Sequence, residues 1–277
     1  MDVLPVGHHG RMSDPGSLIR LHDDYDHIEE QFNRALDETL NPAGPESLYD
    51  HVAAMQLPAG ATAVDAGCGT GRHAIQLARR FGLHVIGVDP GSRHVQPADS
   101  GERDNVIFQV GTVEDLPVPT GTADLVWCRD VLSLVGDLGR AYREFRRVLK
   151  PGGRALIYQT FATSLLEPTE AAFLIPVMGC VPESMRPERT ESAIADAGLN
   201  IDRCLIVGTE WGEYVQEHAQ PPGRDLLHAA RLIRDPDRYV TQFGQENYDI
   251  KLGDCLWHIY RMIGKLSGRV YLLSAPV

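Results

Sequence analysis

The stretch Val64-Asp-Ala-Gly-Cys-Gly-Thr-Gly71 carries an apolar run into a turn with glycine at every second position. Glycines 67, 69 and 71 allow a tight bend and let the backbone approach a ligand with no Cβ in the way. The residues after the bend, Arg72 to Phe81, read as a helix whose first amides face the same point. A second apolar run, His84-Val-Ile-Gly-Val-Asp89, ends on a carboxylate. A carboxylate at a strand end is placed to accept hydrogen bonds from a ribose diol. Strand, glycine turn, helix, strand and acid in this order predict a nucleoside crevice at the carboxyl edge of a parallel sheet.

The spacing separates two kinds of nucleoside site. A dinucleotide site wants G-x-G-x-x-G, and here Arg72 stands where the last glycine would be. Counting from Asp65, the pattern is D-x-G-x-G-x-G. This resembles motif I of the class I S-adenosylmethionine-dependent methyltransferases. Gly111-Thr-Val-Glu-Asp-Leu-Pro117 is similar to the family's adenine segment, G-D-A-x-x-L-P, with Thr112 in place of the acid. Gly121-Thr-Ala-Asp-Leu-Val-Trp-Cys-Arg-Asp130 resembles the following D-G-S-F-D-L-V motif, and Leu149-Lys-Pro-Gly-Gly153 the turn before strand five. The resemblance covers residues 60–160 and is closest to the ubiquinone/menaquinone-type and small-molecule enzymes. Gln31-Phe-Asn-Arg-Ala-Leu36 and Leu252-Gly-Asp-Cys-Leu-Trp257 look similar to lincosamide-type antibiotic N-methyltransferases.

The resemblance implies a role for each matching residue. Asp65 would fix the methionine ammonium of S-adenosylmethionine. The backbone of Gly67, Cys68, Gly69 and Gly71 would pass beside the methionine and ribose. Asp89 would take the ribose hydroxyls, and Pro90 would pack on the adenine. Val113 and Glu114 would meet the adenine edge through their backbone. Thr112 retains a hydroxyl acceptor there but loses the charge of the usual acid. The Cys128 carbonyl would meet the methionine amine. The product would be S-adenosylhomocysteine, and no metal is called for.

Methyl transfer from a sulfonium is an in-line displacement, so the protein mainly positions a nucleophile and excludes water. Arg129 and Asp130 follow strand four, nearest the methyl group in the family, and are read as catalytic candidates; an ion pair capping the next helix is the competing reading. Val131-Leu-Ser-Leu134 lacks the histidine that many relatives carry there. His73 is read as packing along its helix. Tyr25, among Asp23, Asp24 and Asp26, is read as covering the site in the manner of look-alike enzymes, and Phe32 as core packing. Trp211, Tyr214, Trp257, His258, Tyr260 and Arg261 form a late aromatic and basic set from which one or two residues should reach substrate; Trp257, Tyr260 and Ile263 also fit one buried helical face.

Apolar runs alternating with helical patterns predict strands at 63–66, 85–88, 106–110, 125–128 and 155–160, then 201–207 and 269–274. The fold class is therefore α/β, a Rossmann-like, doubly wound, seven-stranded sheet with its last strand antiparallel. Helices are expected within 17–57 around the break Asn41-Pro-Ala-Gly-Pro45, and at 72–81, 138–149 and 188–197; residues 161–187 read as a linker. Four divisions follow: a leader and lid helices at 1–57, the cofactor core at 58–209, a helical substrate lid at 210–267, and the final core strand at 268–277.

Charge and cysteine usage narrow the partners. The chain has 277 residues, with 26 Lys and Arg against 38 Asp and Glu, a net charge of −12. That balance argues against nucleic acid or an anionic membrane as partner. Cysteines 68, 128, 180, 204 and 255 are widely spaced, which speaks against a disulfide framework and for a reducing, cytoplasmic setting. No apolar run approaches the length of a membrane span. The expectation is methylation of a nitrogen or oxygen on a small-molecule natural product, as in antibiotic biosynthesis. Quinone-ring C-methylation and a non-methylating activity on the same fold remain the alternatives, and the N-terminal helices could pair with a second subunit.

Overall fold

The structure, a computed structural model, describes residues 29–38, 42–91, 105–218 and 222–277. The chain divides into two compact units, residues 1–42 and 43–277. In the first, helix α1 spans residues 29–38, with Arg34 paired to Glu30 at 3.0 Å. Phe32 and Leu36 stand exposed on α1, so Phe32 is not the core residue its helical spacing suggested. Its unit offers a lone helix no second element to bury that face among the described residues. Tyr25 and residues 17–28 lie outside the described residues, as does most of the polar connection 90–105.

The second unit is built on strands β1 (Thr62–Ala66), β2 (His84–Asp89), β3 (Val106–Val110), β4 (Ala123–Arg129), β5 (Leu149–Ala162), β6 (Asn200–Gly208) and β7 (Leu266–Ser274). They form one sheet in the order β3-β2-β1-β4-β5-β7-β6. Pairings from β3 through β5 are parallel, and β7 lies antiparallel to both β5 and β6.

Period-two alternation explains why the strands are apolar throughout. On β4, Val126 and Cys128 join the cluster under α4 (Leu138–Val148) and α6 (Pro187–Asp196). Leu125 and Trp127 point the other way, toward α2 (Ser47–Ala54), α3 (Arg72–Phe81) and α7 (Glu210–His218). A sheet covered on both faces needs apolar side chains at every position. α4 buries Leu138, Ala141, Tyr142, Phe145 and Val148, and Asp137 caps it by accepting from the Arg140 amide at 2.8 Å. Each large side chain buried here contributes roughly 1.5–3 kcal/mol.

The segment 161–187, read as a linker, is mostly structured. Helix α5 (Pro168–Val177) fills it, started by a reciprocal Glu167–Glu170 capping box and Pro168. Its apolar residues show no one-sided periodicity because it is covered on several sides. Leu174 and Ile175 pack with Leu166, Met185 and Leu266, against Trp257 and Tyr260 of α10 (Gln245–Met262). The β6–β7 connection holds α7, α8 (Pro222–Arg234), α9 (Pro236–Phe243) and α10, as its helical patterns suggested. Ile263 is exposed just beyond α10 and does not share the buried face of Trp257 and Tyr260. The Lys150-Pro-Gly-Gly153 turn is a bulge within β5: Leu149 pairs with Ala123, and the register resumes at Arg154 with Leu125.

Candidate active site

Strand order reverses between β1 and β4, and open α/β sheets leave a crevice beyond the strand ends at such a point. The Gly67–Gly71 turn forms one wall. Gly67 has φ 80° and its amide donates to the Val88 carbonyl at 2.8 Å. A Cβ there would collide with the Val131 methyl groups, so this glycine is required by the protein's own packing. Gly69 differs. Its φ is 51° and its amide donates to Asp89 Oδ2 at 2.9 Å, but among the described residues a Cβ would meet nothing within 4 Å. The space above Gly69 is open to a ligand.

Asp89 is oriented from both sides, since its Oδ1 accepts from the Gly91 amide at 2.8 Å. A carboxylate accepts more than one hydrogen bond per oxygen, which is the chemistry a ribose diol needs. Asp65, on β1, is only 2% exposed, and its Oδ2 makes no hydrogen bond among the described residues. Burial pushes its carboxyl up to about 7; the Ala74 amide lowers it, Asp89 raises it and Arg129 lowers it. A buried acid with an orphan oxygen beside an open glycine turn suits a cationic group, and the set fits the adenosyl, ribose and ammonium parts of S-adenosylmethionine. Burial also pushes the Cys68 thiol up to about 12 and Cys128 well above its ordinary range, so both stay protonated.

The Gly111–Pro117 segment is tied to α4. Glu144 Oε2 accepts from the Leu116 amide at 2.9 Å, while Arg147 donates to the carbonyls of Leu116 at 2.9 Å and Val118 at 2.8 Å. Val113 is buried in the core, which fixes the backbone beside Glu114. Thr112 is exposed and forms an isolated bridge with Asp115, and Pro90 is exposed at the end of β2.

Arg129 and Asp130 form an ion pair at 3.4 Å beyond β4. It caps no helix: the 3-10 turn Leu132–Leu134 has no side-chain cap, and α4 is capped by Asp137. Asp130 has φ 57°, the left-handed region that a non-glycine residue enters at a cost of about 1–2 kcal/mol. Such conformations cluster at functional sites. Its amide donates to the Tyr158 carbonyl at 3.0 Å, and its side chain is 44% exposed.

His73 does more than pack along its helix. Arg129 Nη1 lies 3.2 Å from His73 Nε2, and Tyr49 Oη lies 2.7 Å from His73 Nδ1. A guanidinium can only donate, so Nε2 is the acceptor and Nδ1 carries the proton toward Tyr49. Burial and then Arg129 depress the imidazole to about 4, keeping it neutral. Its one free lone pair is thereby committed to Arg129. Tyr49, His73, Arg129 and Tyr214 line a cavity of about 330 Å³.

Beside it, Tyr158 stacks on Trp211 with centroids 4.0 Å apart and accepts from Arg261 at 2.9 Å. Arg129 and Arg261 lie 5.4 and 6.0 Å from the Trp211 ring. Thus Trp211, Tyr214 and Arg261 of the late aromatic set come to the site. Trp257 and Tyr260 pack under α5, and His258 turns to Asp225 instead. Tyr49 and Tyr158 were not visible as site residues. Tyr49 lies in a short helix before the motif, and only the register pairing Tyr158 with Arg129 brings Tyr158 in.

Residues 64–157 match the methyltransferase domain family. This segment is thus a methyltransferase domain, similar to those of the class I S-adenosylmethionine-dependent methyltransferases. Among curated relatives, phosphoethanolamine N-methyltransferase 1 of Arabidopsis thaliana is 30% identical over 217 residues, covering 77% of this chain and 42% of the relative. The 27-O-demethylrifamycin SV methyltransferase of Amycolatopsis mediterranei (strain S699) is 34% identical over 113 residues, covering 39% and 42% respectively. The chain thus spans less than half the length of these methyltransferases. A solved structure of a putative sarcosine dimethylglycine methyltransferase from Galdieria sulphuraria shares the fold, with TM-score 0.63, 18% identity, and 83% and 84% of the two chains covered.

Proposed function

We propose that this methyltransferase binds S-adenosylmethionine between Gly69 and Asp89 and transfers its methyl group to a nitrogen or oxygen of a small molecule of secondary metabolism. The observation that carries the reading is the left-handed Gly69, over which no described atom stands within 4 Å, with its amide bonded to the carboxylate of Asp89 at the end of β2. The cofactor supplies an electrophilic methyl on a sulfonium. Asp65 holds its ammonium, aided by the Cys128 carbonyl. The backbone of Gly67, Cys68 and Gly71 follows the methionine. Pro90, Val113 and Glu114 enclose the adenine, with the Thr112 hydroxyl at its edge.

Asp130 is the group assigned to take a proton from the incoming amine or hydroxyl. Its carboxylate is accessible, and Arg129 orients it. His73 is not the base, because its lone pair is held by the same arginine. The segment 210–267 serves as cover over the substrate, the core being 58–209 and the closing strand 268–277. The names of the relatives support nitrogen or oxygen acceptors, one being a phosphoethanolamine N-methyltransferase and another a methyltransferase for 27-O-demethylrifamycin SV. The acidic net charge and the lack, among the described residues, of a helix long and apolar enough to cross a membrane support a small-molecule substrate handled in the cytoplasm.

The test is incubation with methyl-labelled S-adenosylmethionine and a panel of amines, phosphobases, phenols and polyketide alcohols. Label appearing on a nitrogen or oxygen, reduced tenfold or more in Asp130→Asn, supports the proposal. Label appearing only on ring carbon of quinols, or none on any acceptor, overturns it.

A further inference from the structure

Outside the crevice, α8 and α10 bring a second set of chemistry-bearing residues together. Asp225 and His228 are three residues apart on α8, and Cys255 and His258 three apart on α10. That spacing puts each pair on one helix face. One ligand atom from each of Asp225, His228 and Cys255 lies within 4.8 Å of the other two, and Cys255 Sγ is 4.0 Å from Asp225 Oδ1. His258 Nδ1 is 2.9 Å from Asp225 Oδ2, yet it is buried and makes no hydrogen bond among the described residues. The nearby Lys251 ammonium is held by Asp254 at 2.8 Å.

We propose that Asp225, His228, Cys255 and His258 form a binding site for a borderline-soft divalent cation of the zinc class, bridging α8 and α10. One sulfur, two imidazole nitrogens and one carboxylate oxygen are the donors such ions take in tetrahedral geometry. With bond lengths near 2.3 Å to sulfur and 2.1 Å to nitrogen, neighbouring donors sit about 3.6 Å apart. The Asp225–Cys255 distance needs a few tenths of an ångström of closure, and the wider pairs among Asp225, His228 and Cys255 about 1 Å, within reach of a rotamer adjustment, while His258 stands beside them through Asp225 Oδ2 at 2.9 Å.

Cys255 is fully buried, and its thiol is raised by burial, so the thiol is inert unless a cation stabilises the thiolate. Binding displaces the proton of the Cys255 thiol. Access is available, because His258 is 45% exposed. His228 also lines a neighbouring cavity of about 430 Å³ with Tyr239, Phe243 and Tyr248. A bound ion would therefore brace one wall of that cavity.

The experiment adds Co²⁺ to the reduced, metal-free full chain and records the electronic spectrum. The expected result is saturation at one equivalent, with tetrahedral visible bands and a thiolate-to-cobalt charge-transfer band, all displaced by Zn²⁺. Cys255→Ser removes the charge-transfer band; His228→Ala and Asp225→Asn each weaken binding tenfold or more. His228→Ala keeps the buried thiol and so guards against loss of fold in the cysteine variant, which circular dichroism also checks. Octahedral cobalt bands only, a charge-transfer band that persists in Cys255→Ser, or unchanged affinity in folded His228→Ala would each overturn the proposal.

Discussion

Lowering the pH through 7 should loosen the protein's hold on its cofactor, because Asp65 must be ionised to pair with the methionine ammonium. Its carboxyl is moved from an ordinary 3.8 to about 7 by burial. About three pKa units at 1.36 kcal/mol each make ionisation in the free protein cost roughly 4 kcal/mol. The cofactor's ammonium supplies the missing partner and drives the proton off. Below pH 7 the apparent dissociation constant should then rise about tenfold per pH unit, roughly a hundredfold by pH 5, and level off above pH 7.

Stability of the cofactor-free protein should run the other way. The folded pKa lies above the unfolded one, so the protonated carboxyl's contribution is fully present below pH 3.8 and is lost as pH rises through about 7. Asp65→Asn cannot ionise; it should bind weakly with no pH slope and melt higher than the parent at pH 8, by a margin that shrinks as pH falls and is gone below pH 3.8. Calorimetry with S-adenosylhomocysteine, in two buffers of different ionisation enthalpy, reads both affinity and the proton released. A flat affinity for the parent protein between pH 5 and 8.5, or an equal slope in Asp65→Asn, would refute the reasoning.

Two glycines in one turn should fail differently. Gly67→Ala collides with Val131 from a left-handed backbone and should lose about 2–5 kcal/mol of stability in denaturant melts. Gly69→Ala meets no protein atom, so it should cost only about 1–2 kcal/mol while cofactor affinity falls at least tenfold by calorimetry. His73, depressed to about 4 in the folded protein, contributes stability that is present above pH 6.5 and lost as pH falls through about 4. His73→Gln should flatten that acid limb in melts between pH 4 and 7. Asp137→Ala removes the cap of α4 and should lower Tm by about 2–4 °C, for a loss of about 1 kcal/mol.

The core was legible because its signals are local. Continuous apolar runs marked strands buried on both faces, and the glycine turn with Asp89 marked the crevice within one short stretch. The structure extends those strands outward: β5 begins at Leu149 because the Pro-Gly-Gly turn becomes a bulge rather than a break. Helix α5 was not legible because its apolar residues face several neighbours and show no one-sided period. The Tyr49–His73–Arg129 relay was hidden for another reason. It joins three distant elements, and only the sheet's order and register bring them within hydrogen-bonding distance. Tyr158 and Trp211 meet face to face across more than fifty residues, a pairing no periodicity encodes.

The most direct test of the central claim is titration of S-adenosylmethionine into the parent protein and into Asp89→Ala at pH 8. One saturable site in the parent, weakened tenfold or more by the substitution while the fold persists, is the result expected. No binding to the parent, or equal binding to both, would contradict the claim that Gly69 and Asp89 hold the adenosyl group.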